Sequence, residues 1–587
     1  MKWTLFSRNL IALCLSLSVL SFSNVWAVDP PPNRAAQPND PTAGSILRGI
    51  ERELPQPALP LPGPEKRQQE LAAPVASDVT VHVKKFRLEG VTLLTEAELL
   101  AVVEPWINQT LNLTELTKAA DAISQYYQSK GLLAQAFIPP QKIESDGVVL
   151  IKVLEAKLGA VRVEKEGETR FDESMVAKYI TYRNPIGEFV RTNTIEEAIY
   201  IINEMPGMAV NTELSPGEND GEITLNVKAA DTALVTGSLT ASNYGSASTG
   251  KNQGMANLSL NNPLGIGDQL TFNGFKTQGT NYYQASYSLP VHESGLRVGV
   301  SVSDMKYHTV NEFAGSLGSS KASGINLSYP LLRSQTTNAN ITLAYDHKKY
   351  LNELTSGVVN SDYKADTWVL GFSGNHYDGW MGGGISTGSL SITKGKWTNP
   401  LWDPTASNNY GQYTDPNYSK FNFSFNRNQQ LISDQTVLTA SLSGQRAASN
   451  LDTVERFFLG GPNGVRAYPS SQGSGDHGAM VNLEIQQQLP EGVIGYVFYD
   501  KGWVQQYKSA SVYQQVNANY FKAPNSYSLA GYGLGAKYTI SNFIINGAYA
   551  IPIGKNPLYR YSGTDYVQQN SDGRTGNYFW LQGIYKF

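Results

Sequence analysis

Cysteine is all but missing from this chain. The one thiol, Cys14, sits in an apolar run from Leu10 to Leu20, and Leu13 before it is too bulky for a lipoprotein cleavage box. Lys2 and Arg8 precede that run and Val25-Trp26-Ala27 ends it, the pattern of a secretory signal peptide over residues 1–27. The exported chain then has no cysteine, which excludes disulfides, thiol catalysis and cysteine-held metals. Histidine is scarce too: His82, His292, His308, His347, His376 and His477 show no metal-ligand spacing, so neither a metal nor another cofactor is expected. Nothing after the signal approaches the ~20 apolar residues of a membrane helix, so membrane residence would require a closed barrel. Excess positive charge is also lacking: the net charge of −4 falls to −6 once Lys2 and Arg8 leave, and nucleic acid is not an expected partner. Catalytic constellations fail as well. Gly384-Ile385-Ser386-Thr387-Gly388 has the letters of a hydrolase elbow but lies in a strand pattern. Gly245 to Lys251 approximates a phosphate loop, yet Asn252 stands where Ser or Thr must hold magnesium. An enzyme is not expected.

What is there changes texture along the chain. Residues 28–45 are polar and Pro-rich. Asp40 is placed to cap a helix with Pro41 at its first position, and Ile46, Leu47, Ile50 and Leu54 share one face of a helix over 41–54, weakened by Gly49. So short a helix is marginal alone in water, and a fraying tail fits the residues equally. Residues 55–77 follow as a linker, with proline dense from Pro55 to Pro64. At ~3.1 Å per residue, some twenty such residues reach roughly 60 Å, well beyond the ~25 Å apolar band of a membrane barrel.

From Val79 the pattern becomes globular. Val79 to Leu88 reads as a strand, Thr95 to Val103 and Thr114 to Ser129 as helices, and Leu133 to Ile138 and Val148 to Leu154 as strands. The order recurs: Leu158 to Val163, helices Asp172 to Tyr182 and Thr194 to Asn203, then strands Met208 to Leu214 and Glu222 to Val227. Two tandem α+β units are expected, over 78–155 and 156–230. A small mixed sheet leaves an edge that can accept an extended chain by strand addition. A plain structural spacer is the alternative.

Residues 231–587 differ again. Charge thins out, and period-two alternation persists: Val298, Val300 and Val302 against Gly299, Ser301 and Ser303; Leu438, Ala440 and Leu442 against Thr439, Ser441 and Ser443; Val481, Leu483 and Ile485 against Asn482, Glu484 and Gln486. One apolar and one polar face per strand fits a half-exposed soluble sheet or a membrane barrel. Runs of about ten residues and many tyrosines and tryptophans favour the barrel. Sixteen antiparallel strands are expected, starting near Leu234, Gln253, Asp268, Asn281, Gly295, Ala322, Ala339, Asp366, Gly383, Tyr418, Asp434, Gly478, Gly492, Tyr527, Asn542 and Thr575. The last ends with Leu581, Gly583, Tyr585 and Phe587 on one face.

The stretch Phe457 to Pro469 stands apart. Its Gly460, Gly461, Pro462 and Gly464 make it a shaped loop, yet it carries aromatics and Arg466. Downstream, Asp500 ends an apolar strand. A guanidinium on a returning loop holds such a carboxylate in a partly dry cavity better than lysine would. The plainer alternative is a solvated arginine and a solvated acid.

Gly460-Gly461-x-x-x-Val465-Arg466-x-Tyr468, followed by Phe498-x-Asp500-x-Gly502, resembles the sixth extracellular loop and thirteenth strand of two-partner secretion transporters, outer-membrane pores of the BamA/TpsB superfamily. The family tetrad is Val-Arg-Gly-Tyr; here Ala467 replaces the glycine. The resemblance implies a sixteen-stranded membrane β-barrel preceded by two POTRA domains and an N-terminal plug helix, Ile46, Leu47, Ile50 and Leu54 giving its inner face. It implies that loop 447–477 returns into the lumen through Arg466 and Asp500, and that Tyr585 and Phe587 end an assembly signal. It implies residence in the outer membrane of a Gram-negative bacterium, POTRA domains in the periplasm. Partners would be a cognate secreted exoprotein (an adhesin, haemolysin or contact-dependent toxin), membrane lipid and the barrel-assembly machinery. A barrel-assembly factor of the same superfamily and a passive porin are the rival readings.

Overall fold

The computed structural model describes residues 41–55, 59–63, 80–144, 146–398, 414–433, 435–470, 472–511, 524–561, 566–568 and 570–587. The expected signal peptide, the stretch to Asp40 and residues 56–58 and 64–77 of the linker lie outside them.

The first element is a helix, α1 (Ala43–Glu53). Its cap is Thr42, not Asp40, and Pro41 precedes it rather than opening it. Thr42 Oγ1 accepts from the Ser45 amide (3.1 Å) and the Ser45 hydroxyl oxygen accepts from the Thr42 amide (2.9 Å), a reciprocal box satisfying two otherwise orphaned donors.

Two α+β units follow. The first comprises β1 (Thr80–Val83), β2 (Lys85–Glu89), α2 (Glu96–Val103), β3 (Gln109–Asn112), α3 (Leu113–Ser129), β4 (Ala134–Phe137) and β5 (Val148–Glu155). The strand expected from Val79 to Leu88 is broken at Lys84, because the Lys84 and Lys85 amides both donate to the Gly147 carbonyl (2.8 and 3.4 Å). β1 therefore pairs with the short β3, which no alternation announces, while β2 runs parallel to β5. Phe86, Leu99, Ile123, Tyr127 and Ile151 are buried beneath α2 and α3.

The second unit has β6 (Lys157–Lys165), α4 (Glu173–Arg183), α5 (Thr192–Asn203), β7 (Met208–Pro216) and β8 (Glu222–Asp231). β8 is central, parallel to β6 and antiparallel to β7. This unit is fastened to the barrel. Arg170 Nε holds Asp231 (2.7 Å), and its Nη1 donates to the carbonyl of Asn261, the last residue of the second barrel strand (2.7 Å). Arg333 at a strand end pairs bidentately with Glu204 at the end of α5.

The barrel closes with sixteen antiparallel strands among the described residues. They are β9 (Val235–Ser242), β10 (Gln253–Asn261), β11 (Gln269–Lys276), β12 (Thr280–Pro290), β13 (Arg297–His308), β14 (Ser316–Arg333), β15 (Thr337–Leu354), β16 (Val359–Asp378), β17 (Gly384–Thr398), β18 (Asn417–Gln430) and β19 (Thr436–Ala447). Then come β20 (His477–Gln488), β21 (Val493–Gln505), β22 (Ser526–Ile540), β23 (Phe543–Ile553) and β24 (Tyr578–Lys586). β14 and β16 begin well before Ala322 and Asp366, the expected starts, because their outer ends, Ser316 to Lys321 and Val359 to Ala365, are mostly polar and carry no apolar alternation. These strands of 18 to 20 residues exceed the ~10 that cross the bilayer, so they project beyond the lipid.

Alternation fixes which face meets lipid. Val300, Val302, Leu343, Leu442, Val481, Leu483 and Ile485 are exposed on the outer surface, while Asn482 and Glu484 point into the lumen. The last strand pairs with the first from Gln582 opposite Ser242 to Lys586 opposite Ser238. Outside it, the Tyr585 ring lies 4.6 Å from Phe543, and Phe587 follows on the same face.

Candidate functional site in the barrel lumen

The chain between β19 and β20 folds back onto the lumen wall. Its glycines permit the fold: a Cβ on Gly460 would lie 2.4 Å from the Pro469 carbonyl oxygen, one on Gly464 would lie 2.0 Å from that of Leu459, and Gly461 has φ +106°. Backbone bonds Val465 N–H to Leu459 O (2.8 Å) and Gly461 N–H to Tyr468 O (3.0 Å) close the turn. Leu459, Val465, Ala467 and Tyr468 are thereby buried against the wall.

The wall is flattened to receive them. Side-chain carbons at Gly478, Gly502 and Gly531 would stand 2.2 Å from the Phe457 ring, 2.5 Å from Leu459 Cδ2 and 2.3 Å from Ala467 Cβ. Three adjacent strands thus present bare backbone where the loop sits. Ala467 is not among the residues with positive φ, so its backbone does not require the glycine of the family tetrad, and its methyl fills the space over Gly531.

Arg466 is the anchor. Its Nε and Nη2 donate to the two oxygens of Asp500 (both 2.9 Å), its backbone amide to Asp500 Oδ2 (3.0 Å), and its Nη1 to Glu484 Oε2 (2.7 Å). Asn482, opposite Asp500 in the ladder, donates to Asp500 Oδ1 (2.8 Å) and to the Gly464 carbonyl (2.9 Å). The guanidinium carbon lies 3.5 Å from the Phe498 ring centroid, and Trp580 Nε1 donates to the Arg466 carbonyl (2.7 Å). Asp500 is fully buried and sits in the middle of β21, not at its end as expected, because pairing continues five residues further to Gln505. Removing the cation from a buried carboxylate so surrounded costs about 3–5 kcal/mol.

The loop's two legs have fasteners of their own. Asp476, fully buried, accepts from the amides of Leu451 (3.1 Å) and Lys508 (2.9 Å) and pairs with Arg456 (3.4 Å). Lys420 on β18 holds Glu455 at 2.6 Å.

α1 occupies the opposite side of the lumen. Ala43, Leu47, Ile50 and Leu54 are buried against Phe275, Tyr282, Met305, Tyr307, Tyr350 and Tyr363, with Ile46 partly buried beside them. Gly49 has open space around it. Polar contacts join them: the Ala43 amide donates to Asn352 Oδ1 (2.7 Å), Lys348 to Glu51 (2.8 Å), and Gln253 to Glu53. Helix and loop also touch, through Thr42 and Thr453 hydroxyls 3.0 Å apart. Beyond the helix the Pro60 carbonyl accepts from Asn338 (3.2 Å) and Asn375 (2.8 Å), which places the linker at the periplasmic mouth.

In the first periplasmic unit, Glu155 accepts from the Thr92 and Leu93 amides (2.9 and 2.8 Å), the Tyr127 hydroxyl (2.7 Å) and the Thr92 hydroxyl. Burial opposes its charge, but these bonds outweigh it and hold the carboxyl below its ordinary range. The sheet edges are β2 and β4 in this unit, β6 and β7 in the next. β7 is partly covered, since Asn203 bonds both the amide and the carbonyl of Val210 (2.7 and 3.2 Å).

A family described as haemolysin secretion/activation protein ShlB/FhaC/HecB matches residues 221–538, and a ShlB-type POTRA domain matches residues 81–156. The chain belongs to this family. Relatives include the heme/hemopexin transporter protein HuxB of Haemophilus influenzae strain 86-028NP, 24% identical over 99% of both chains. The outer membrane transporter CdiB of Escherichia coli is 28% identical over 81% of this chain and 80% of its own. Among solved structures, CdiB from Escherichia coli superposes with a TM-score of 0.67 at 23% identity, covering 94% of this chain and all of the other. As a member of the family, the protein is an outer-membrane transporter of two-partner secretion, with POTRA domains in the periplasm and a cognate secreted exoprotein as its partner.

The structure thus brings together Arg466, Asp500, Phe498, Val465 and Gly502, and turns the loop at Gly460, Gly461 and Tyr468. Sequence reasoning missed Glu484 and Asn482 as partners of Arg466, along with Gly478, Gly531 and Trp580. Glu484 and Asn482 had a signal: both stand on the polar, lumen-facing side of the strand before Asp500. Trp580 and Gly531 had none, because contacts across the lumen are set by barrel closure.

Proposed function

We propose that Arg466, clamped by Asp500 and Glu484, fastens the returning loop in the secretion-competent arrangement, and that α1 is a releasable plug. A single large exoprotein, an adhesin, haemolysin or contact-dependent toxin, arrives unfolded at a POTRA sheet edge and threads through the lumen. The chain lacks a phosphate-binding motif, and folding of the exoprotein outside supplies the drive. Tyr585 and Phe587, on the lipid face of the final strand, serve as the signal read by the barrel-assembly machinery. One observation carries the reading: the arginine clamp fixes a loop to one wall, while the other side is filled by a helix held mostly by apolar contact and tethered through a proline-rich leash. The test is Arg466→Ala. Secretion of the cognate exoprotein should fall below detection while the barrel still inserts, shown by its heat-modifiable electrophoretic mobility. Normal secretion by that variant removes the clamp from the mechanism.

A further inference from the structure

The lumen wall behind α1 has a character of its own. Phe275, Tyr282, Tyr350, Tyr363, Trp397 and Tyr418 come from six strands and form an aromatic half-ring. Four of them follow one another on consecutive strands β15 to β18, brought to one level by the pairs Tyr350 with Tyr363, Ala365 with Trp397 and Gly395 with Tyr418. Ring centroids are 5.0 Å apart between Tyr350 and Tyr363, 5.5 Å between Tyr363 and Trp397, and 5.5 Å between Trp397 and Tyr418.

We propose that this half-ring is a binding surface for the extended exoprotein in transit, exposed when α1 leaves. The proposal rests on the transport reading above and names where in the lumen the travelling chain is held.

Three observations support it. First, the seat is matched to simple aliphatic groups: α1 offers Ala43, Leu47, Ile50 and Leu54, and any chain with such residues at alternate positions offers the same chemistry. Second, the half-ring has donors that α1 leaves unused. The Tyr350 hydroxyl and Trp397 Nε1 are buried and have no hydrogen-bond partner among the described residues. A helix spends its carbonyls on its own amides, whereas an extended chain brings free carbonyls that these donors can reach. Third, the glycine-rich tip of the loop is fixed to the wall of β20 to β22, and only its first leg, Leu451 to Glu455, reaches the aromatic side, so an incoming chain meets the rings that α1 uncovers. Contacts between aromatic rings and aliphatic side chains are individually weak and tolerant of sequence, which suits a chain that must be held and then moved on.

The test uses the full-length chain carrying Leu47→Asp and Ile50→Asp, so that α1 is driven from its seat, in a planar bilayer. The probe is a synthetic peptide of alternating valine and asparagine, added from the periplasmic side, and the reading is the dwell time of current blockades. Adding Trp397→Ala should shorten the dwell by roughly tenfold, the size expected for loss of one well-packed aromatic contact. Tyr350→Phe, which keeps the ring and removes the donor, should shorten it less. A peptide of serine and asparagine alone should block only briefly. Absence of blockades by the valine peptide, equal dwell with and without Trp397, or equal dwell for the two peptides overturns the proposal. Any of these alongside Arg466-dependent secretion leaves the transport reading standing.

Discussion

The two sides of the lumen are built on opposite principles. On the loop side, a charged clamp with good geometry, glycines that remove every obstruction and buried carboxylates at both legs hold one segment in one position. On the helix side, the seat is made of aliphatic groups set against aromatic rings. Directional bonds to buried charges resist displacement because each broken bond strands a charge in a dry place. Apolar contact is exchangeable, since another apolar group can replace it. Under the proposed function, in which α1 is released while the loop stays, the pore needs one side of each kind.

This contrast can be broken most severely at the clamp. Losing Arg466 strands two carboxylates, so its effect should exceed any other in the lumen, by about 3–5 kcal/mol in loop docking. Glu484→Gln keeps both bonds to Asp500 and should reduce secretion only partly; equal loss in the two variants would show that the carboxylates act as one unit. Next in size is Gly502→Leu, whose side chain needs the space of Leu459 and Val465. The loop should be displaced although every charge remains, seen as new protease sensitivity within 448–476.

On the helix side, Leu47→Asp with Ile50→Asp should raise single-channel conductance, because two aliphatic groups worth ~1.5–3 kcal/mol each leave a buried seat. Unchanged conductance would mean that α1 does not obstruct the pore. The smallest effect lies outside the lumen. Glu155 has a folded pKa below its unfolded value, so its stabilisation is present above the ordinary carboxylate range and is lost as pH falls through the folded value. Glu155→Gln should therefore expose residues 80–155 to protease at neutral pH but add little at strongly acidic pH. A difference that grows on acidification would contradict this.

The barrel was legible because a lipid-facing strand must alternate, and a strand count needs only that period. Where the strands leave the lipid the signal fails, as at Ser316 to Lys321 and Val359 to Ala365. The helices of the periplasmic units were legible from their apolar spacing, and Thr95 and Asp172 cap two of them within one turn. The strand break at Lys84 was not, because it depends on Gly147, some sixty residues away. Arg466 and Asp500 were readable as a pair through the resemblance; Glu484 required the register of β20 against β21.

By itself the sequence determined a barrel of sixteen strands, two mixed modules and a glycine-rich loop bearing one arginine, since each is written in local composition or a short period. Only the tertiary structure decided that Gly478, Gly502 and Gly531 form one floor, that Trp580 near the end of the chain bonds the Arg466 carbonyl, and that rings from separate strands, Phe275, Tyr282, Tyr350 and Tyr363 among them, gather behind one helix. The reason is geometric. Closure of the barrel fixes the shear between strands, and shear sets which distant residues share a level, a quantity no local stretch of chain contains.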